Sequence, residues 1–207
     1  MLPRLHAVVD VEAAARTGFL PVDVARLFLE GGARLIQIRA KALPSGPFLE
    51  LCDAIVRLAR PYDAAVIVND RVDLARLSGA AGVHVGQDDL PASAARAMLG
   101  ADAIVGYSTH TIEQVEHAAT MPVSYIAVGP VFGTRTKDTG YEAVGLDLVR
   151  AAATRCRGVP VVAIGGITLD TAPSVIAAGA SCVAVISDLV GGDPAARVRQ
   201  YVDRLGR

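Results

Sequence analysis

Two aspartates, Asp70 and Asp89, each follow closely on a short apolar run, Ala65–Val68 and Gly82–Val85. Carboxylates are hard oxygen donors and suit Mg²⁺, which takes few protein ligands, keeps several waters and completes its shell with substrate phosphate oxygens. Cations are placed in the same manner. Arg39 and Lys41 lie in the stretch Leu35-Ile36-Gln37-Ile38-Arg39-Ala40-Lys41, and Lys137 lies in a long loop after a later apolar run. Carboxylates and cations converging on one mouth would accommodate a Mg²⁺-chelated diphosphate. A second anion site is expected at Gly165-Gly166, before Ile167-Thr168, where backbone N–H groups at the start of a helix would cradle a phosphate.

These groups need a frame to hold them. Alternate residues of a strand point to one face, so Gln37, Arg39 and Lys41 would share a face. A buried Arg without a partner costs several kcal/mol, so that face must meet something polar. Short β-branched runs recur along the chain at Leu5–Val9, Leu35–Arg39, Ala65–Val68, Gly82–Val85, Ala103–Gly106, Ser124–Val128, Val161–Ile164 and Cys182–Ile186. Helical stretches follow them near 22–30, 46–60, 71–78, 91–99, 111–119, 146–155, 169–178 and 194–204. Gly32-Ala33, Gly79-Ala80, Gly100-Ala101 and Gly179-Ala180 read as helix stops. Strands of nearly continuous apolar character fit a parallel sheet covered on both faces. Eight βα units in 207 residues predict an α/β protein, a single (β/α)8 TIM barrel over residues 1–207, with a doubly wound sheet as the alternative.

In such a barrel, chemistry belongs at the C-terminal ends of the strands. Polar residues gather there: Gln37, Arg39 and Lys41; Asn69-Asp70; Gly86-Gln87-Asp88-Asp89; Ser108-Thr109-His110-Thr111; the loop 129–139; Gly165-Gly166; Ser187-Asp188. Taken singly each has a plain reading. Asn69, Asp70 and Ser108 could be helix N-caps, Asp88-Asp89 could open a helix, and His110 could be a structural histidine. Taken together they would require seven of eight strand ends to be polar on one rim by chance.

Composition excludes other classes. The chain is 52% hydrophobic with a net charge of −1, and no apolar run approaches the roughly 20 residues that span a bilayer. Aromatics are 4% and there is no basic block, which argues against nucleic acid. Cys52, Cys156 and Cys182 have no metal-ligand spacing and read as reduced thiols of a cytoplasmic protein. No membrane association is expected, the partners are small phosphorylated molecules, and homo-oligomerisation is left open.

At these residues the sequence resembles the thiamine-phosphate synthase family, from about residue 5 to residue 190. The resemblance is carried by Gln37-x-Arg39-x-Lys41, Val68-Asn69-Asp70-Arg71-Val72-Asp73 and Gly82-Val83-His84-Val85-Gly86-Gln87-Asp88-Asp89. It continues through Gly106-x-Ser108-x-His110-Thr111, Gly129-Pro130-Val131-Phe132-x-Thr134-x-Thr136-Lys137, Ile164-Gly165-Gly166-Ile167 and Val185-Ile186-Ser187. It implies a Mg²⁺-dependent transferase of thiamine biosynthesis. Such an enzyme couples a hydroxymethylpyrimidine diphosphate to a thiazole phosphate, or its carboxylate form, through a pyrimidine cation. It also implies that Gln37, Arg39, Lys41, Asn69, Ser108 and Lys137 bind the pyrimidine diphosphate, with Arg39, Lys41, Ser108 and Lys137 as the catalytic set. By the same resemblance Asp70 and Asp89 bind Mg²⁺, and Thr134, Thr136, Gly166, Ile186 and Ser187 bind the thiazole phosphate. A thiazole tautomerase of the same barrel family, with His110 as acid/base, is the competing reading. It would have no use for the paired aspartates and the cation trio. A non-catalytic phosphate binder is a third.

Overall fold

The computed structural model describes residues 2–133, 142–156 and 158–206. Eight parallel strands close into a barrel in sequence order: β1 Leu5–Asp10, β2 Leu35–Arg39, β3 Ala65–Asn69, β4 Gly82–Val85, β5 Ile104–Thr109, β6 Tyr125–Val128, β7 Val161–Ile164 and β8 Cys182–Val185. The first strand pairs with the last, Leu5 beside Val183 and Ala7 beside Val185, so the sheet has no free edge. The expected (β/α)8 barrel is the observed fold.

Alternation along the strands explains the apolar composition. On β2, Ile36 and Ile38 pack outward in the large core beneath the helices, while Gln37 and Arg39 face the central cavity. The barrel interior is a separate, smaller apolar cluster: Val8, Tyr125, Ala127, Val162, Cys182 and Ala184. Helices form where apolar residues recur every three or four positions. In α2 (Pro21–Glu30) the buried stripe is Val24, Ala25, Phe28 and Leu29, with Pro in the first turn, where its missing N–H costs nothing. The other long helices are α3 (Ser45–Ala59), α5 (Ala92–Leu99), α7 (Gly145–Arg155) and α10 (Pro194–Leu205); α4 (Val72–Ser78), α6 (Ile112–Ala118) and α8 (Ala172–Ala177) are shorter. Gly32, Gly79, Gly100 and Gly179, read as helix stops, all take positive φ.

Two boundaries depart from the sequence reading by more than one residue, and two helices are added to it. The strand expected at Ala103–Gly106 runs on to Thr109, because Ser108 and Thr109 continue the ladder against Ala127 and Val128. A helix α1 (Val11–Arg16) follows β1, capped by the Asp10 side chain, which accepts from the Ala13 N–H at 2.7 Å. A one-turn helix α9 (Ser187–Val190) follows β8. Helix α8 starts at Ala172, not near 169, since Thr168–Thr171 form a turn in which the Thr168 N–H donates to Thr171 Oγ1 at 2.9 Å. Cys52, Cys156 and Cys182 are free and buried, and burial pushes the Cys52 thiol up to about 12 and Cys156 to about 11. No described helix is long and apolar enough to cross a membrane.

Candidate active site

A cavity of about 80 Å³ opens at the C-terminal mouth of the barrel. Gln37, Arg39, Asn69, Ser108, Gly166, Ile186 and Ser187 all line it, together with His110. Thus residues 150 positions apart in sequence share one cavity, because strands in order around a closed barrel bring all their upper ends to one rim. Thr134, Thr136 and Lys137 lie outside the described residues.

The floor is a chain of hydrogen-bonded side chains. His84 projects inward from β4 and holds Tyr125 Oη at 3.0 Å through Nδ1 and Ser108 Oγ at 2.8 Å through Nε2. The His84 ring stacks on Tyr125, centroids 5.6 Å apart, and His6 meets the same ring edge-on at 5.9 Å. His6 Nε2 lies 3.5 Å from the Gln37 amide. Gly106 makes room for this stack, since a Cβ there would stand 2.1 Å from the Tyr125 ring and 2.6 Å from His84 Nδ1. Burial keeps His6 neutral, pushing its pKa down to about 3, with His84 a further cause, and raises that of the Tyr125 hydroxyl. Ser108 is therefore a strand residue held by His84, not a helix cap.

The rim above is charged. Arg39 ends β2 and Asp10 ends β1; the two are register neighbours, and the Arg39 guanidinium donates to Asp10 Oδ2 at 2.5 Å. Both are buried. Lys41 lies beyond the end of β2, so only Gln37 and Arg39 share a strand face. Its ammonium nevertheless reaches across to Asp70 Oδ2 and pairs with it.

Asp70 follows β3 with φ 63, a left-handed conformation uncommon outside glycine, asparagine and aspartate. Its N–H donates to the His84 carbonyl at 2.8 Å, continuing the β3–β4 pairing one residue past the strand end. Asp89 Oδ2 accepts from the Gly86 N–H at 2.7 Å, closing the loop after β4. Burial, and then the neighbouring Asp70 carboxylate, push the Asp89 carboxyl above its ordinary range. Helix α4 has Arg71, without a side-chain capping bond, at its N-cap position, so neither Asn69 nor Asp70 serves as the cap. Among the described residues no three His, Cys, Asp or Glu side chains gather as a metal site. Two facing carboxylates fit Mg²⁺, which takes the rest of its shell from water and phosphate.

Strands β7 and β8 lie across the barrel from β3 and β4. Gly165 and Gly166 take φ 105 and 63 and press against the preceding loop; a Cβ would sit 2.5 Å from Pro130 Cα and 2.6 Å from the Gly133 carbonyl, respectively. The two loops are joined by Val131 N–H to the Ile164 carbonyl at 2.8 Å and Phe132 N–H to the Gly165 carbonyl at 3.0 Å. The glycines lie well before α8, so the expected cradle at a helix start is instead a left-handed turn. Among the described residues the Gly166 and Ile167 N–H groups have no backbone acceptor.

His110 donates its own N–H to Gln114 Oε1 at 2.7 Å, and its Nδ1 lies 2.5 Å from the Gly129 carbonyl, which makes Nδ1 the protonated nitrogen. Sequence reasoning missed Asp10, His6 and Tyr125, and left His84 without a role. The signal was present for Asp10: a buried Arg39 demands an anion, and Asp10 occupies the adjacent strand end.

A family model described as thiamine monophosphate synthase matches residues 5–189. A thiamine-phosphate synthase of Caldicellulosiruptor saccharolyticus is 45% identical over 172 residues, 83% of this chain and 77% of that protein. One of Anaeromyxobacter dehalogenans is 43% identical over 204 residues, 94% of this chain and 91% of the relative. The solved thiamine phosphate pyrophosphorylase of Pyrococcus furiosus superposes with a TM-score of 0.88 at 32% identity, covering 98% of this chain and 95% of that one. With a matching barrel, and a family model that spans all eight strands, the chain belongs to the thiamine monophosphate synthase family.

Proposed function

We propose that this chain, a transferase of the thiamine monophosphate synthase family, joins a hydroxymethylpyrimidine diphosphate to a thiazole phosphate, releasing diphosphate and giving thiamine monophosphate. The observation that supports this reading is the placement, on opposite sides of the barrel mouth, of two sets of groups suited to holding phosphates, the first of them through a metal. Asp70, Asp89 and Lys41 stand over β3 and β4; Gly166 and Ser187 stand over β7 and β8. A diphosphate ester held at the first end and a phosphate monoester at the second turn their uncharged rings toward each other. Between them lies the floor of Gln37, His84 and Ser108.

The bond broken is the C–O bond between the pyrimidine methylene and the diphosphate, whose electron pair leaves with the diphosphate. The bond formed runs from the thiazole nitrogen lone pair to the methylene carbon. No side-chain nucleophile is required. Mg²⁺ held by Asp70 and Asp89, when bound, supplies charge that offsets the charge developing on the departing oxygens. Lys41 adds a second cation there, and the Asp10 carboxylate keeps the Arg39 guanidinium in place at the rim. Ser108 and Gln37 offer neutral hydrogen bonds to the pyrimidine ring. Val8, Ala127, Val162 and Ile164 wall the cavity and keep water from a cation that would otherwise be trapped as an alcohol. The test is incubation of the purified protein with both substrates and Mg²⁺, following diphosphate release and thiamine monophosphate together. Diphosphate release without the coupled product, or neither, overturns the proposal.

A further inference from the structure

Asp188 is the second residue of α9, directly after Ser187, and its carboxylate receives four hydrogen bonds from two other parts of the fold. Arg197 grips both oxygens, Nη2 to Oδ1 at 2.9 Å and Nε to Oδ2 at 3.2 Å. The Tyr201 hydroxyl donates to Oδ2 at 2.6 Å, and the Leu169 backbone N–H donates to the same oxygen at 3.1 Å. Arg197 and Tyr201 belong to α10; Leu169 lies in the β7–α8 loop, close after Gly166. Tyr201 is fully buried, and the Arg197 guanidinium lies 6.0 Å from its ring centroid. Burial alone would raise the Asp188 carboxyl pKa, but the hydrogen bonds from Arg197 and Tyr201 hold it below the ordinary range.

This differs from an ordinary surface ion pair, which joins two exposed side chains and contributes little. One carboxylate here ties together the loop that carries Gly166, the turn that carries Ser187 and the last helix. The phosphate-accepting end is made of a backbone N–H on one loop and a residue on the next, so their separation must be set by whatever holds the loops together. Groups displaced by an ångström lose much of their effect.

We propose that Asp188, backed by Arg197 and Tyr201 of α10, is a positioning residue that sets the spacing of Gly166 and Ser187 and thereby the affinity for the thiazole phosphate. The proposal rests on the reading that this end takes that phosphate. Steady-state kinetics with each substrate varied in turn tests it. Asp188→Asn is expected to raise the thiazole-phosphate KM about tenfold, leaving kcat and the pyrimidine-diphosphate KM within about twofold. Tyr201→Phe, which removes one bond and keeps the ring, should shift the same KM in the same direction by less, and decides the matter if Asp188→Asn does not fold. Ser187→Ala marks the site itself. If Ser187→Ala leaves the thiazole-phosphate KM unchanged, the site reading fails and this proposal with it. If Ser187→Ala raises that KM while folded Asp188→Asn and Tyr201→Phe do not, the positioning role alone is overturned. Equal changes toward both substrates, tracking a lowered melting temperature, would also overturn it by reducing Asp188 to a structural tie.

Discussion

Arg39 and Asp10 sit side by side at the ends of adjacent strands, and the guanidinium is within 2.5 Å of the carboxylate with almost no solvent around either. The same carboxylate caps α1 through the Ala13 N–H. A residue that the resemblance assigns to the diphosphate is therefore also half of a buried ion pair.

Arg39→Ala is expected to destabilise the fold by about 3–5 kcal/mol, the scale of leaving one buried charge uncompensated. Adding Asp10→Asn should recover part of the loss. Urea unfolding of the single and double variants measures the coupling; additive effects would mean that the pair contributes no interaction of its own.

At Asp70 the positive φ decides which substitution isolates chemistry from folding. Alanine there adds backbone strain of about 1–2 kcal/mol, whereas asparagine tolerates the conformation. Asp70→Asn and Asp89→Asn should each lower turnover at least about 100-fold at limiting Mg²⁺ while melting close to wild type. Near-normal turnover in either variant removes that carboxylate from the proposed metal-binding pair.

His84→Leu strands the Tyr125 hydroxyl in the barrel interior and frees Ser108 Oγ. A lost partner of a buried donor costs about 1–3 kcal/mol, and Tyr125→Phe in the same chain should restore a good part of it. Coupling activity should stay low in the double variant, because Ser108 remains unheld. Recovery of both stability and rate would show that His84 acts only through Tyr125.

His110→Gln separates the coupling reaction from proton-transfer chemistry. On the proposed mechanism no proton moves in the bond-forming step, so the coupling rate should fall about tenfold or less, against about 100- to 10,000-fold if His110 were an acid/base. Wild type should not isomerise a thiazole carboxylate phosphate. Isomerisation that disappears in the variant, without diphosphate release in either protein, would install the tautomerase reading.

His6 makes the fold sensitive to acid. Its folded pKa is lowered to about 3 from 6.5, burial being the main cause. Between those values the unfolded chain takes up a proton that the folded chain refuses. Stability therefore falls as pH drops below the unfolded value, by about 1.4 kcal/mol per unit for this group, and the loss stops growing near the folded value. Unfolding of His6→Gln at about pH 4.5 and about pH 7 should show a shallower acid dependence than wild type. Equal dependence would assign the acid sensitivity to other groups.

The barrel was legible because each βα unit repeats the same physical problem: a strand apolar on both faces, then a helix apolar on one stripe. The rim was legible because polar residues at strand ends are costly unless something meets them. What sequence could not yield was pairing across the barrel. Arg39 carried the demand for an anion, but only the register of β1 against β2 names Asp10. Gly106 read as part of a motif; only the Tyr125 ring, arriving from the neighbouring strand, explains why it has no side chain. Lys41 was placed on the strand by alternation alone, and the strand ends two residues earlier. Asp188 looked like one more polar strand end, because its partners lie in a helix that carries no chemical motif.

The pairing of β1 with β8 also bears on how the chain is made. During synthesis β1 emerges before the other seven strands, and its outer edge stays unpaired until Cys182–Val185 follow. Until then a partial sheet exposes two unpaired edges, at β1 and at the newest strand, each a row of free N–H and C=O groups that is a template for another molecule's strand. A ribosome stalled after β7 would thus release a species prone to edge-to-edge association, and the last fifth of the chain works as the closure that prevents it.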